Sequence, residues 1–581
     1  MRKLTLALLV ASSTLIITAS LVGQATQASP AAQDVKTANA PAVKPPVPIA
    51  FDKAIDLIVD RESRFVERMR GMHPLVETYI QDMKPDADLG SAPQRDEYFL
   101  GRLDVSQGTK DVSFLGHPGL WRSTVDKLTS IYSLKFLPLG FAQMVLLDNN
   151  FDRRSYTFSF VRREFLGEVR CLVIDLQPKE DVGEAKFLGR IWVEDQDYNI
   201  VRFNGTYYPA PKFNIYFHFD SWRLNLRPGV WLPAYIYSEE SDAKRNPLGQ
   251  KLNFKAQTRL WGYDLEKYLK NSEFTEIQVE STEPVKDQNT GALDTSPVQS
   301  QRAWEMQAEE NAIERLQRIG LIAPPGDVDK VLQTVVNNLQ VTNNLDVEPE
   351  VRARVLLTTP LESFTIGHTI VISRGLLDVL PDEASLAMVL AHELSHIVLG
   401  HKLDTKMAFN DRLFFPDEKT FERMEFTRDP KDEEAADKKA VELLNNSPYK
   451  DKLSTPGLFL KMMQLRAQNL GQLIRPHMGN SLKEGSGFRM AALVNASPAL
   501  DLKDKNQIAA LPLGGRVKVD PWSNRVELLK TKPVALATAA EKMPFEVTPF
   551  FPRLTRWQAP SVQPAISESA PPAPPSQPPA Q

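Results

Sequence analysis

The spacing of apolar and polar positions changes character along this chain. From Phe51 to about Lys84, residues Ile55, Leu57, Ile58, Phe65, Val66 and Met69 recur at helical spacing and predict one or two helices. From about 97 to 265 the period shortens to that of strands. Tyr156-Thr157-Phe158-Ser159-Phe160 alternates aromatic with small polar residues, as a half-buried strand does. Runs at Cys171–Leu176, Arg190–Val193, Asn199–Phe203, Phe213–Phe219 and Trp231–Tyr237 follow, separated by turn residues, and predict an antiparallel sheet or open barrel. Residues 271–300 are polar and aperiodic and predict a linker. Helical spacing then returns, with Val328, Val331, Leu332, Val335, Val336 and Leu339 on one face. The fold class expected is therefore α+β: a β-rich, open barrel-like domain at 51–270, then a mainly α-helical domain at 301–540.

The ends of the chain read differently. Met1-Arg2-Lys3, an apolar stretch from Leu4 to Val22 and a small-residue exit at Gly23–Ser29 predict a secretory signal peptide over 1–28. Left uncut, that stretch is just long enough to act as a membrane anchor. The expected location is periplasmic or elsewhere in the cell envelope, with no membrane span after cleavage. No cysteine lies near the exit, which excludes a lipid-anchored lipoprotein. Residues 29–50 read as a flexible leader, and 541–581 as a tail, with eight prolines in 560–581.

Composition narrows the classes further. Hydrophobic residues make up 42% and charged residues 24% of 581 residues, which excludes a wholly disordered or fibrous chain. With 69 Lys+Arg against 73 Asp+Glu, the net charge of −4 offers no footprint for nucleic acid. One cysteine, Cys171, excludes a disulfide framework and any site needing two thiolates. Five of the eight tryptophans (Trp121, Trp192, Trp222, Trp231, Trp261) fall in the strand-rich part and read as core before cavity lining.

The chemistry concentrates at His392-Glu393-Leu394-Ser395-His396. Pro381-Asp382-Glu383 can open a helix there, and Leu386, Val389, Leu390, Leu394, Ile397 and Val398 cover most of its circumference, so it is expected to be buried. On that helix His392 and His396 lie roughly 40° apart, one turn from each other. Two imidazoles so placed can bind one tetrahedral zinc ion, with Glu393 as general base for the water that the metal activates. His401 stands about 140° around a straight helix from His396, too far to share the metal, and reads as a helix-end residue. A third ligand is expected downstream. Glu433 and Asp437 are four apart and share a helix face, so Glu433 can ligate while Asp437 holds an imidazole. Glu434 is the rival to Glu433.

These residues resemble the gluzincin metallopeptidases that include CAAX prenyl endopeptidase, the heat-shock protease HtpX and the periplasmic protease-chaperone BepA. The resemblance runs from Val355 through Ser363–Asp378 and Asp382–His401 to Glu433-Glu434-Ala435-Ala436-Asp437. It implies that His392, His396 and Glu433 bind one zinc ion, that Glu393 is the base and that Asp437 orients a ligand. It also implies that the strand with Phe364, Ile366, Thr369 and Ile370 pairs with an extended polypeptide substrate. The family often has Asn-Ala before the strand's Phe, where this chain has Glu362-Ser363. A later His-Pro and Arg of the family correspond to Pro476-His477 and Arg489, so His477 is a candidate stabiliser of the oxyanion despite the reversed order. A second, looser resemblance joins Val173–Leu176 and Arg190–Arg202 to LolA-like lipoprotein carriers, which implies a lipid or hydrophobic ligand for the β-rich domain. Two functions follow as expectations: a zinc endopeptidase of envelope protein quality control, or a chaperone and carrier with latent proteolysis.

Overall fold

The computed structural model describes residues 50–113, 141–265, 297–403, 426–504, 517–528 and 545–557, apart from short stretches inside them. The expected signal peptide and leader, Trp121, most of the linker, His477 and the proline-dense 560–581 lie outside the described residues. Everything below belongs to the compact unit Ile49–Gln581.

Helix α1 (Phe51–Arg70) buries Ala54, Ile55, Ile58, Phe65, Val66 and Met69. It stops at Gly71, and Pro74 beyond cannot continue it. The helical reading up to Lys84 therefore gives way to a strand, β1 (Leu75–Asp86). The misleading residues are polar ones that the sheet buries with partners. Thr78 bonds Thr258 across the ladder at 2.9 Å, and Gln81 Nε2 donates to the Phe545 carbonyl at 2.7 Å.

Nine more strands follow: β2 (Gly90–Asp104), β3 (Lys110–Ser113), β4 (Tyr156–Leu166), β5 (Val169–Pro178), β6 (Lys186–Glu194), β7 (Ile200–Tyr208), β8 (Phe219–Arg227), β9 (Val230–Lys244) and β10 (Lys251–Trp261). They form one antiparallel sheet in the order β3-β2-β1-β10-β9-β8-β7-β6-β5-β4. Its two ends, β3 and β4, do not meet, so it is an open sheet and not a closed barrel. The run expected at Phe213–Phe219 falls mostly outside the described residues; the strand that is described starts at Phe219. Its inward Asp220 and Arg223 disguise it, and both are neutralised locally. Arg223 forms a buried two-pronged pair with Glu62 of α1 at 2.6 and 2.7 Å, and Asp220 one with Arg202 at 2.7 and 2.8 Å.

Period-two alternation divides the inner strands between two cores. On β5, Leu172, Ile174 and Leu176 face α1, while Val169, Cys171 and Val173 face the opposite way. That second face carries Trp192, Trp222, Trp231 and Trp261, all buried as core. It is continuous with the core of the C-terminal half and is also covered by residues 545–557, which composition had assigned to the tail. Leu554 there is fully buried, because its segment crosses the sheet instead of leaving it.

The C-terminal half contains helices α2 (Pro297–Ile319), α3 (Asp327–Thr342), α4 (Arg374–Val379), α5 (Glu383–Val398), α6 (Pro430–Asn445) and α7 (Ser454–Arg466). They surround a small sheet of β11 (Arg352–Leu356), β13 (Thr369–Ser373) and β12 (Ser363–Ile366) in that spatial order. β11 runs parallel to β13 and β12 antiparallel to it, leaving β12 at one edge. Among the described residues no helix is long and apolar enough to cross a membrane.

Candidate metal centre

Helix α5 begins where the Asp382 carboxylate accepts the Ser385 N–H at 2.8 Å. Its second half is wrapped by α3, α6, α7 and the small sheet, which buries His392, Glu393 and His396. Helix α6 starts at Asp429, whose side chain accepts from the Lys431 N–H, with Pro430 in the first turn. Packing of α6 on α5 then points Glu433 at the two histidines.

Three ligand groups converge, Glu433 reaching the two imidazoles through different oxygens. His392 Nε2 lies 3.2 Å from Glu433 Oε2, His396 Nε2 lies 3.4 Å from Glu433 Oε1, and the two Nε2 atoms are 3.3 Å apart. A tetrahedral ion with bonds of about 2.0–2.1 Å sets its ligands about 3.3 Å apart, so the three buried groups fit one such ion. Glu434 turns outward and pairs with Lys438 at 2.7 Å, which removes it as the rival ligand.

The groups behind these ligands are equally ordered. His392 Nδ1 lies 2.9 Å from Asp437 Oδ1, and the other Asp437 oxygen accepts the Met490 N–H at 3.0 Å. His396 Nδ1 lies 3.0 Å from His401 Nδ1. The expectation of a mere helix-end residue is corrected here. Helix α5 ends at Val398, Gly400 adopts φ +69°, and His401 folds back onto the turn it was expected to leave. It does not ligate but touches a residue of the ligand set. Arg489 forms an ion pair with Glu433.

Charges within the pocket pull strongly on its protons. Burial works against an imidazolium at His392. The hydrogen bonds to Asp437 and Glu433 and the charge of Glu393 outweigh burial and hold its pKa at about 10. His396 is pushed below the usual histidine range, chiefly by burial. Burial likewise opposes a charged Glu433, but both imidazoles and Arg489 hold its carboxyl far below the ordinary carboxylate range.

The expected substrate strand is in fact a hairpin. Thr369 and Ile370 lie on β13, which is paired on both sides and offers no open edge. The Ser373 N–H donates to the Glu362 carbonyl, so along β12 the backbones of Phe364 and Ile366 also face β13. Their side chains are buried too, Phe364 stacking on Phe426 at 4.8 Å. The outward backbone groups belong to Ser363 and Thr365, and Arg428 Nη2 donates to the Thr365 carbonyl at 2.7 Å.

Ser363 and Thr365 are also the site residues that motif reading missed. Ser363 Oγ donates to Glu393 Oε1 at 2.7 Å, and Thr365 Oγ1 donates to Oε2 at 2.6 Å. Their spacing of two on a strand, which puts both hydroxyls on one face, was the available signal.

Comparisons with known proteins agree with this geometry. Residues 327–414 match the model of peptidase family M48; the match includes α5 and stops short of Glu433. No curated protein matches the chain. Among solved structures, a DUF1329 family protein from Desulfovibrio piger is similar over 39% of this chain and 98% of its own. At 12% identity and a TM-score of 0.18, that likeness carries no argument about fold or function. Residues 327–414 are thus similar to peptidase family M48, and within and just beyond that match His392, His396 and Glu433 stand where they could hold a metal ion.

Proposed function

We propose that the chain is a zinc-dependent endopeptidase of the bacterial cell envelope, acting in the quality control of envelope proteins. The observation that carries this reading is the convergence of His392, His396 and Glu433 at tetrahedral spacing, with Glu393 adjacent on the same helix. Two imidazoles and one carboxylate suit zinc, and three protein ligands leave a fourth position open. Zinc bound there supplies a Lewis acid that polarises a carbonyl and makes water acidic near neutral pH. Asp437 and His401 engage the Nδ1 atoms, which leaves both Nε2 atoms for the ligand set. Glu393 takes the proton of the attacking water at its carboxylate and passes it to the leaving amine. An extended polypeptide pairs with the outward backbone groups of β12.

Envelope location rests on the basic start, apolar stretch and small-residue exit of the first 28 residues. A carrier of lipid or unfolded clients needs an accessible apolar face. Among the described residues both faces of the inner strands of the large sheet are buried, and the exposed large apolar side chains Phe160, Val161 and Phe165 lie on the edge strand β4, which favours the peptidase. The test is casein cleavage by the purified protein and its Glu393→Gln variant, with metal content measured on both. About one zinc per chain in each, with cleavage only in the parent, supports the reading. Equal cleavage by Glu393→Gln contradicts it.

A further inference from the structure

We propose that Ser363 and Thr365 are positioning residues for Glu393, so that the strand receiving the substrate also aims the base. The inference rests on the peptidase reading and deepens it. Each oxygen of the Glu393 carboxylate accepts one hydroxyl, Oε1 from Ser363 and Oε2 from Thr365. An ionised carboxylate only accepts, so both hydroxyls must donate to it, and each oxygen keeps a lone pair for another partner. The Glu393 carbonyl, 3.3 Å from Thr365 Oγ1, is the more distant acceptor for the same hydroxyl proton, which goes to Oε2 at 2.6 Å. Thr365 and Glu393 are both buried, so bulk water does not supply substitute donors.

The geometry of β12 gives this clamp a consequence. Ser363 and Thr365 turn their side chains to Glu393 and their backbone groups away from β13, where Arg428 already bonds the Thr365 carbonyl, because the alternate residues Phe364 and Ile366 pair with β13. A peptide that pairs at this edge therefore contacts the same two residues that hold the base. Any shift of the strand on docking moves both carboxylate oxygens together. A base displaced by about 1 Å loses on the order of 100-fold in rate, so two hydroxyls on one rigid strand are an effective aiming device.

The experiment compares the parent with Ser363→Ala, Thr365→Val, the double variant and Thr365→Ser, all as full-length zinc-loaded protein. Metal content, kcat and KM on casein-derived peptides and a crystal structure of the double variant are the readouts. In the double variant the expected result is unchanged zinc, KM within about twofold and kcat lower by about 10- to 100-fold, with Glu393 out of its parental rotamer. Thr365→Ser keeps the hydroxyl and should stay near the parent. Unchanged kcat in the double variant overturns the proposal. So does Thr365→Ser failing as badly as Thr365→Val, since packing and not the hydroxyl would then be responsible. If the zinc-loaded parent cleaves nothing, the peptidase reading fails separately. The crystal structure still decides the clamp: Glu393 unmoved without its two hydroxyls overturns it, and Glu393 displaced supports it.

Discussion

At the metal centre each ligand is held by a second residue, and those residues were unequally readable in the sequence. Asp437 was legible because a separation of four on a helix fixes the face it shares with Glu433. His401 was not, because its use depends on the chain leaving the helix at Gly400, and angular arithmetic assumes a straight helix. Ser363 and Thr365 could have been found, since alternation on a strand is as regular as the helical period. The role of the rear contacts is testable. Asp437→Asn and His401→Ala should each weaken zinc binding by about 10- to 100-fold, measured by competition with a chromophoric chelator; affinity unchanged in both would remove their orienting role. A pH effect follows from His392. Its pKa in the folded, metal-free protein, about 10, lies above that of an unfolded histidine. Its stabilising contribution is therefore complete below about pH 6.5 and fades as the pH climbs towards 10. The chelated protein should lose melting temperature across that window, and the zinc-loaded protein should lose much less.

Among the elements, long periodic ones were the most legible. Helix α5, the antiparallel strands and the open sheet follow directly from spacing. The failures are β1 and β8, where Glu77, Thr78, Gln81, Asp220 and Arg223 lie in the interior. Polar residues inside a sheet require partners far along the chain, such as Glu62 for Arg223 or Thr359 for Glu77, and local pattern cannot reveal them. Close backbone approach is equally hidden. Gly375, in the first turn of α4, sits so near the Thr359 carbonyl that a Cβ could not fit without moving backbone. That contact braces the segment leading into β12. Gly375→Ala should cost about 3 kcal/mol, read from urea unfolding; a cost near zero would mean that the backbone there yields easily.

Across the whole molecule, the reading of two domains joined by a linker understates how the halves meet. Glu77 of the large sheet accepts the Thr359 N–H at 2.6 Å and its hydroxyl at 2.8 Å. Asp96 accepts the N–H groups of Gln472 and Leu473 at 2.9 and 2.7 Å, and Arg259 donates to the Leu357 carbonyl at 2.6 Å. The bonds to Leu357 and Thr359 hold the segment just before β12, and those of Asp96 hold Gln472 and Leu473, where the Leu473 carbonyl in turn accepts the Leu361 N–H, so the large sheet braces β12 from behind. Residues 545–557 add a strap over the same face: the Val547 N–H bonds Gln81, the Phe550 N–H bonds the Tyr235 hydroxyl, and the Trp557 N–H bonds Asn225. Proline content hid this strap, because composition averages over a tail whose first part packs. Leu554→Ala should cost about 2–5 kcal/mol, and a melting temperature equal to that of the parent would show that the strap contributes no stability.

The central claim is that His392, His396 and Glu433 hold a zinc ion on which Glu393 acts as base. Metal content and casein cleavage, measured together on the parent and Glu393→Gln, test it most directly. About one zinc per chain is expected in both proteins, with cleavage by the parent alone. No zinc in either protein, or full cleavage by Glu393→Gln, would contradict it.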